Sequence, residues 1–278
     1  MNLSEVFKDK VVWITGASAG IGEGMVKAFS GYGAKVILSS RNQVELERVA
    51  SECVTNGANE SDVMVLPLDV VAYEAMPNAL QAILERYSRI DFLINNAGLG
   101  ARDKLLEIDM DVFRKVMEVN LFASVALSKA VLPEMMRQGS GRIVGVSSLA
   151  GKIGIHLRTA YCPAKHAICG FFDALRAEVA HYGIKVTTIV PGVVRTAAAA
   201  NSLNGRGVPH GPENGVMLGG LSVDEAIAII MRGFAEDTDE ILVAQESEMD
   251  LMKMKGNDPV AVFRAIEESA EREVYGGG

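Results

Sequence analysis

The chain has 278 residues, 49% hydrophobic and 22% charged, which supplies a large core and excludes a disordered chain. A formal net charge of −8, with no basic stripe, argues against nucleic acid as a partner. Aromatic residues are only 6% of the total, favouring helices packed closely on a sheet over a β-sandwich.

The opening stretch, MNLSEVFKDK, contains Glu5 and Asp9 and no apolar h-region, so no secretory signal is expected. No uncharged apolar run approaches the roughly 18 residues that span a bilayer. The expectation is a cytoplasmic protein without an integral membrane segment. Cys53, Cys162 and Cys169 are widely separated and lack metal-like spacing, so they read as reduced thiols and no metal site is expected.

KVVWIT (10–15) is the first expected strand, followed by the glycines of TGASAGIG and a helix over 22–33. AKVILSS (34–40) is a second strand. In QVELERVASECVTNG (43–57), Val44, Leu46, Val49 and Cys53 carry the spacing of an amphipathic helix. DVMVLPLDV (62–70) is a third strand, with a helix over about 73–87, and IDFLINNAG (90–98) is a fourth strand ending in a polar turn. A long helix, 109 to about 136, leads to GRIVGVSS (141–148). A helix holding Tyr161 and Lys165 runs to about HYG (181–183), before IKVTTIVPG (184–192). DEAIAIIMRGF (224–234) and EILVA (240–244) are the last helix and strand of the series.

Strands alternating with helices of this length require right-handed crossovers and a parallel sheet buried on both faces. We expect one doubly wound α/β domain over 1–278, with a substrate loop at about 193–220 and a C-terminal extension at about 246–278. The glycine-rich stretch 196–220 reads as a mobile loop with a short Ala-rich helix, and the final EVYGGG as frayed. In the extension, Met249, Met252 and Met254 suit either an adaptable apolar pocket or peripheral packing.

Gly16, Gly20 and Gly22 close the first βα turn, where the backbone can approach a pyrophosphate at a helix N-terminus. Their spacing, GxxxGxG, differs from the usual Rossmann fingerprint. At the end of the second strand stand Ser39, Ser40 and Arg41, with no carboxylate for a ribose 2′-hydroxyl. A guanidinium there pairs with a 2′-phosphate, which points to NADP(H). Asp69 and the NNAG turn (95–98) also end strands, where open α/β sheets bind ligands.

Tyr161 and Lys165 are four apart and share one helix face. An ammonium beside a phenol favours the phenolate and suits it to proton transfer. Ser148, thirteen residues before Tyr161, ends the fifth strand and can hydrogen-bond a reacting carbonyl. Asn120 is an amide on the preceding helix, suited to a backbone carbonyl or a water. His156 and Arg158 suit contact with an acidic substrate group or simple solvation. The helix around 160–181 is apolar on more than one side, through Ile168, Phe171, Leu175 and Val179 with Cys169 and Phe172, as expected of a helix covered by the sheet and a partner subunit.

Together these residues resemble the short-chain dehydrogenase/reductase family. The likeness rests on TGASAGIG, Asp69, NNAG, Asn120, Ser148, YCPAK, and PG at 191–192 with Thr196, over about residues 8–245. YCPAKHAICGFFDALRAEV is similar to the branch acting on steroids, retinoids and other lipophilic carbonyls. The resemblance implies a seven-stranded parallel sheet of order 3-2-1-4-5-6-7. It implies that Tyr161 is the proton donor or acceptor, that Lys165 lowers its pKa and binds the nicotinamide ribose, that Ser148 orients the carbonyl, and that Asn120 holds a relay water. It further implies a cofactor site formed by Gly16, Ser18, Gly20, Ile21, Gly22, Ser40, Arg41 and Asp69, then Asn96, Ala97, Gly98, Pro191, Gly192, Val194 and Thr196, together with Tyr161 and Lys165. A homodimer or homotetramer is the implied assembly. Two rivals stay open: a 3-oxoacyl-carrier-protein reductase, and a non-catalytic NADPH-sensing or scaffold protein.

Overall fold

The computed structural model describes residues 3–211 and 219–274. The strands are β1 (Val11–Thr15), β2 (Lys35–Ser39), β3 (Val63–Val65), β4 (Phe92–Asn95), β5 (Gly141–Val146), β6 (Ile184–Pro191) and β7 (Glu240–Val243). All pair in parallel, in the order β3-β2-β1-β4-β5-β6-β7. In chain order the helices are α1 (Leu3–Phe7), α2 (Gly20–Gly31), α3 (Gln43–Thr55), α4 (Met76–Tyr87), α5 (Met110–Met117), α6 (Ala123–Gln138), α7 (Tyr161–Val179), α8 (Val223–Ala235), α9 (Glu246–Asn257) and α10 (Pro259–Val274).

Every residue of β1 is buried, as a strand covered on both faces must be. Side chains alternate across the sheet, so Val12 and Ile14 pack with Phe29, Val36 and Ile230, whereas Val11 and Trp13 pack with Ile37, Leu127 and Phe172. Trp13 donates its indole N–H to Ser39 Oγ at 2.9 Å, satisfying the one polar atom that burial would otherwise strand. One register row, Leu38–Ile14–Ile94–Val144–Thr187, crosses five strands. The turns that follow these strands therefore emerge along a single edge.

Local chemistry sets several helix starts. Asn42 accepts from Glu45 N to cap α3, and Ser222 with Glu225 forms a capping box at α8. The expected third strand is cut short: pairing stops at Val65, two residues before Pro67, which has no N–H for a ladder. The long helix expected from 109 is continuous to Gln138, but a π-helical turn at Glu118–Phe122 separates α5 from α6. By length and composition this Met110–Gln138 helix is long and apolar enough to cross a bilayer, although charged residues such as Glu118 and Lys129 interrupt it. Its Leu127, Val131 and Met135 are buried against the sheet.

Two further expectations change. The Ala-rich stretch forms a turn, not a helix, with Asn201 N donating to Ala197 O. The described part of the substrate loop is also tied down: Leu203 N donates to Gly100 O and Arg102 N to Leu203 O, both at 2.9 Å. The rest of that loop, 212–218, and the last four residues of EVYGGG lie outside the described residues.

Candidate active site

The glycine turn is built as a cradle. Gly16 and Gly20 have φ of +64° and +59°, the left-handed region where a side chain is strained. The N-cap of α2 is Ala19, whose side chain makes no capping bond, so the first helical N–H groups and the positive dipole end are left for an anion. Gly22 serves packing: a Cβ there would sit 2.2 Å from Gly16 O and 2.5 Å from Asn96 Nδ2. Asn96 braces the turn, donating from Nδ2 to Thr15 O (2.9 Å) and Gly16 O (3.1 Å). Asn96 N and Ala97 N both donate to Thr15 Oγ1 at 3.1 Å. Ser18 and Ile21 are half-buried in the same turn.

At the neighbouring strand ends, Leu68 N donates to Ser40 O at 3.0 Å, which brings Asp69 beside the β2 terminus. Asp69 Oδ1 accepts from Val71 N at 3.2 Å. Arg41 is exposed there and has no hydrogen bond or ion pair among the described residues.

The turn after β6 approaches from the other side. Thr196 Cγ2 lies 3.2 Å from where a Gly20 Cβ would stand, joining this segment to the glycine turn. Val194 pairs with Leu221, and Gly192 N donates to Val243 O at 2.9 Å. Glu248 of α9 reaches the same turn, accepting from Val193 N at 2.7 Å and, through its other oxygen, from Gln245 N at 2.8 Å. A Cβ on Gly192 would fall 2.3 Å from that carboxylate. The methionines of the extension contribute less: Met252 packs beside Leu149, Ile153 and Val262, while Met254 is exposed.

Two of the residues expected to handle protons, Asn120 and Lys165, meet at Gly98. A Cβ at Gly98 would lie 3.0 Å from Asn120 Oδ1 and 3.5 Å from Lys165 Nζ. Asn120 occupies the π-helical turn, a local widening that frees backbone carbonyls. Its Nδ2 donates to Val116 O and Leu99 O, both at 2.8 Å, and its Oδ1 accepts from Leu99 N at 3.2 Å. The amide thus locks the segment after the NNAG turn against the helix.

Lys165 is buried and donates to Val146 O at 2.9 Å, with its ammonium 5.6 Å from the centre of the Tyr161 ring. Burial pushes its pKa down to about 8. Tyr161 is the first residue of α7, and Ser148 Oγ accepts from Ala150 N at 3.2 Å in the turn after β5. The sequence expects Lys165 to lower the phenol's pKa. Here it is raised, with burial as the largest cause, opposed by the hydrogen bond with Ser148 and the field of Arg158 rather than of Lys165. Lys165 donates one N–H to Val146 O, and its own charge is disfavoured by the same burial.

The seating of α7 depends on residues that no motif singled out. Ser147 Oγ donates to Lys165 O at 2.9 Å and receives Cys169 Sγ at 3.1 Å. Gly151 leaves room for this contact, since a Cβ there would lie 2.3 Å from Ser147 Oγ and 2.5 Å from Lys165 O. Doubled small residues after a strand are the only sequence hint. Glu248 gave none, because its partner lies 55 residues away in the chain. All three cysteines are buried and unpaired, and burial raises the pKa of Cys53 and Cys162, as inert thiols require.

The open N-terminus of α2 and the left-handed glycines beside it are features that a dinucleotide fits. The sequence model of the family described as "short chain dehydrogenase" matches residues 10–206. The human protein "Dehydrogenase/reductase SDR family member 7" is 39% identical over 240 residues, 86% of this chain and 71% of that one. A short-chain dehydrogenase/reductase from Burkholderia phymatum, solved with NAD, superposes with a TM-score of 0.81 at 23% identity over 91% of this chain and 95% of its own. A metagenomic short-chain oxidoreductase solved with NADP has a TM-score of 0.70 at 26% identity, over 85% and 97%. The chain belongs to the short-chain dehydrogenase/reductase family of nicotinamide-dependent oxidoreductases.

Proposed function

We propose that this enzyme transfers a hydride between NADP(H) and a carbonyl/secondary-alcohol pair on a lipophilic substrate, with Tyr161 as general acid/base. The observation that carries the reading is the convergence of Asn120, Lys165 and Gly98 beside Tyr161 and Ser148, at the strand edge where α2 presents its uncapped N-terminus. The cofactor supplies or accepts the hydride at carbon. Ser148 holds the reacting oxygen, and the Tyr161 hydroxyl delivers its proton to that oxygen, leaving an alcohol. The raised pKa keeps the phenol protonated at neutral pH, the state that carbonyl reduction needs. Lys165, 5.6 Å from the centre of the phenol ring, would hold the nicotinamide ribose and offset the charge left as the proton leaves.

The apolar cluster of Leu149, Ile153 and Val262, with Leu251 and Met252, adjoins Ser148 and supports a lipophilic substrate, as the steroid- and retinoid-acting branch would use. Around the substrate loop a surface cavity is lined by Arg114, Lys115 and Arg206 together with Asp109 and Asp111, and Arg114 pairs with Asp111, so the charges nearly cancel and the cavity does not single out an acidic carrier protein. A mere NADPH sensor has no need for the complete proton-handling set. Three unpaired buried thiols suit a reducing compartment such as the cytoplasm.

NADP(H) preference rests on the unpaired guanidinium of Arg41. Replacing it, Arg41→Ala, should weaken NADPH binding about 10- to 100-fold, the worth of one charge-assisted bond. NADH binding should stay within about threefold of its starting value by the same arithmetic. Fluorescence titration measures both, and wild-type affinity for NADH equal to that for NADPH would overturn the preference. The proposed homodimer or homotetramer rests on the half-buried Phe171 of α7 and the exposed Phe122 on the preceding helix. Light scattering at micromolar concentration should return a multiple of 29.7 kDa, and a monomeric mass would refute it.

A further inference from the structure

Arg158 stands three residues before Tyr161, at the mouth between the β5 turn and the substrate loop. Its backbone is set unusually. Leu157 has φ of +58°, a left-handed conformation that a leucine adopts only under constraint from its surroundings. Arg158 O accepts from Cys162 N at 2.8 Å, and Asp103 N donates to Leu157 O at 3.0 Å, so the strained residue is held on both sides. The guanidinium is thereby turned inward and half-buried.

What it meets there is incomplete. Its one hydrogen bond is a long one, from Nη1 to Ser202 Oγ at 3.3 Å. Among the described residues no carboxylate pairs with it. Asp103, whose backbone N–H bonds Leu157 O, has its carboxylate committed to backbone, accepting from Lys104 N and Gly205 N at 2.9 Å. The charged and titratable groups that act on Arg158 are the Tyr161 phenol, the Cys162 thiol and the like charge of Arg102. A half-buried cation with a cation for a neighbour and most of its donors unused is costly unless an anion joins it. Gly100 packs closely on this pair: a Cβ there would lie 2.8 Å from Ser202 Oγ and 3.7 Å from Arg158 Nη1, so the absence of a side chain lets the serine reach the guanidinium.

We infer that Arg158 is a specificity-determining residue that receives a carboxylate of the substrate, so that the group processed at Tyr161 belongs to an oxo- or hydroxy-carboxylic acid. This rests on the oxidoreductase reading above and narrows it. The planar guanidinium takes a carboxylate through two parallel N–H···O bonds, and Ser202 Oγ adds a donor at the same place. The partly buried Ile155, whose carbonyl accepts from Arg158 N at 3.3 Å, offers apolar surface for the hydrocarbon body of such an acid. In a protein of net charge −8, a local cation also offsets the repulsion an anionic substrate would otherwise meet.

The test compares oxodecanoates, with the ketone at successive positions, with their methyl esters, under NADPH. For the acid that reacts best, wild type should prefer it over its ester in kcat/KM by about 30- to 100-fold, the worth of a charge-assisted pair. Arg158→Gln should bring that ratio to within about threefold of unity, and Arg158→Lys should restore part of it, since lysine keeps the charge but not the fork. A merely structural arginine would lower acid and ester together and leave the ratio unmoved. Calorimetry with decanoate and decanamide reads binding apart from turnover: decanoate should bind wild type more tightly than decanamide, and Arg158→Gln should erase the difference. If no carbonyl is reduced yet decanoate binding depends on Arg158, the oxidoreductase reading fails and the carboxylate site stands. Equal binding of decanoate and decanamide by wild type, or equal use of acids and esters, overturns the site.

Discussion

Tyr161→Phe should lower kcat for carbonyl reduction about a thousandfold, within the 10²- to 10⁴-fold range that a positioned general acid supplies. Phenylalanine keeps the ring that packs at the start of α7 and removes only the hydroxyl. The Ser148 hydroxyl that shares a hydrogen bond with it remains to hold the carbonyl oxygen. NADPH affinity should therefore change by less than about threefold, because the loss falls on the transition state and not on ground-state binding. Steady-state turnover and fluorescence titration of the same preparation separate the two effects. Unchanged turnover across every active substrate would sink the mechanism.

Lys165→Met should act in opposite directions on activity and on stability. Activity should fall about 100-fold or more, as loss of the charge that supports proton transfer predicts. Stability carries the more distinctive signature. The Lys165 pKa drops from 10.5 to about 8 on folding, so between those values the folded chain binds fewer protons than the unfolded one. Unfolding free energy contributed by this residue therefore rises with pH through that window and is lost as pH falls toward 8. The difference between wild type and Lys165→Met should grow in favour of wild type by about 1.4 kcal/mol per pH unit over that range, an order-of-magnitude slope. Urea melts of both proteins at pH 7.5 to 10 measure it. A flat difference would show that Lys165 does not sit as an unneutralised buried ammonium.

Much of this was readable in the chain. The near-continuous β-branched runs mark strands buried on both faces, because a two-faced strand has no polar side to show. Asn42, Ser222 and Glu225 announce helix starts through chemistry that acts within three residues. The candidate site residues were legible because ligand contacts in a doubly wound sheet come from the ends of successive strands, so each brings a short local motif. The spacing in YCPAK is such a motif: Pro163 falls in the first turn of α7, where its missing N–H costs little.

The misses share a different cause. Pro67 ended β3 early, and the run of alanines after Thr196 made a turn because Leu203 is bonded back to Gly100. The direction of the Tyr161 shift depended on burial, which no pairwise spacing contains. Glu248 looked like one acid among many on a peripheral helix until the fold placed it on the turn after β6.

By itself the sequence determined the strand–helix rhythm, the glycine turn and which residues are candidates for proton handling, since each depends on interactions within a turn or two of chain. Only the tertiary structure decided how those residues are electrically tuned and what surrounds them. Desolvation is set by every element packed against a group, so the low pKa of Lys165, the high pKa of Tyr161 and the unanswered charge of Arg158 exist only once α7, the β5 turn and the substrate loop have closed on one another.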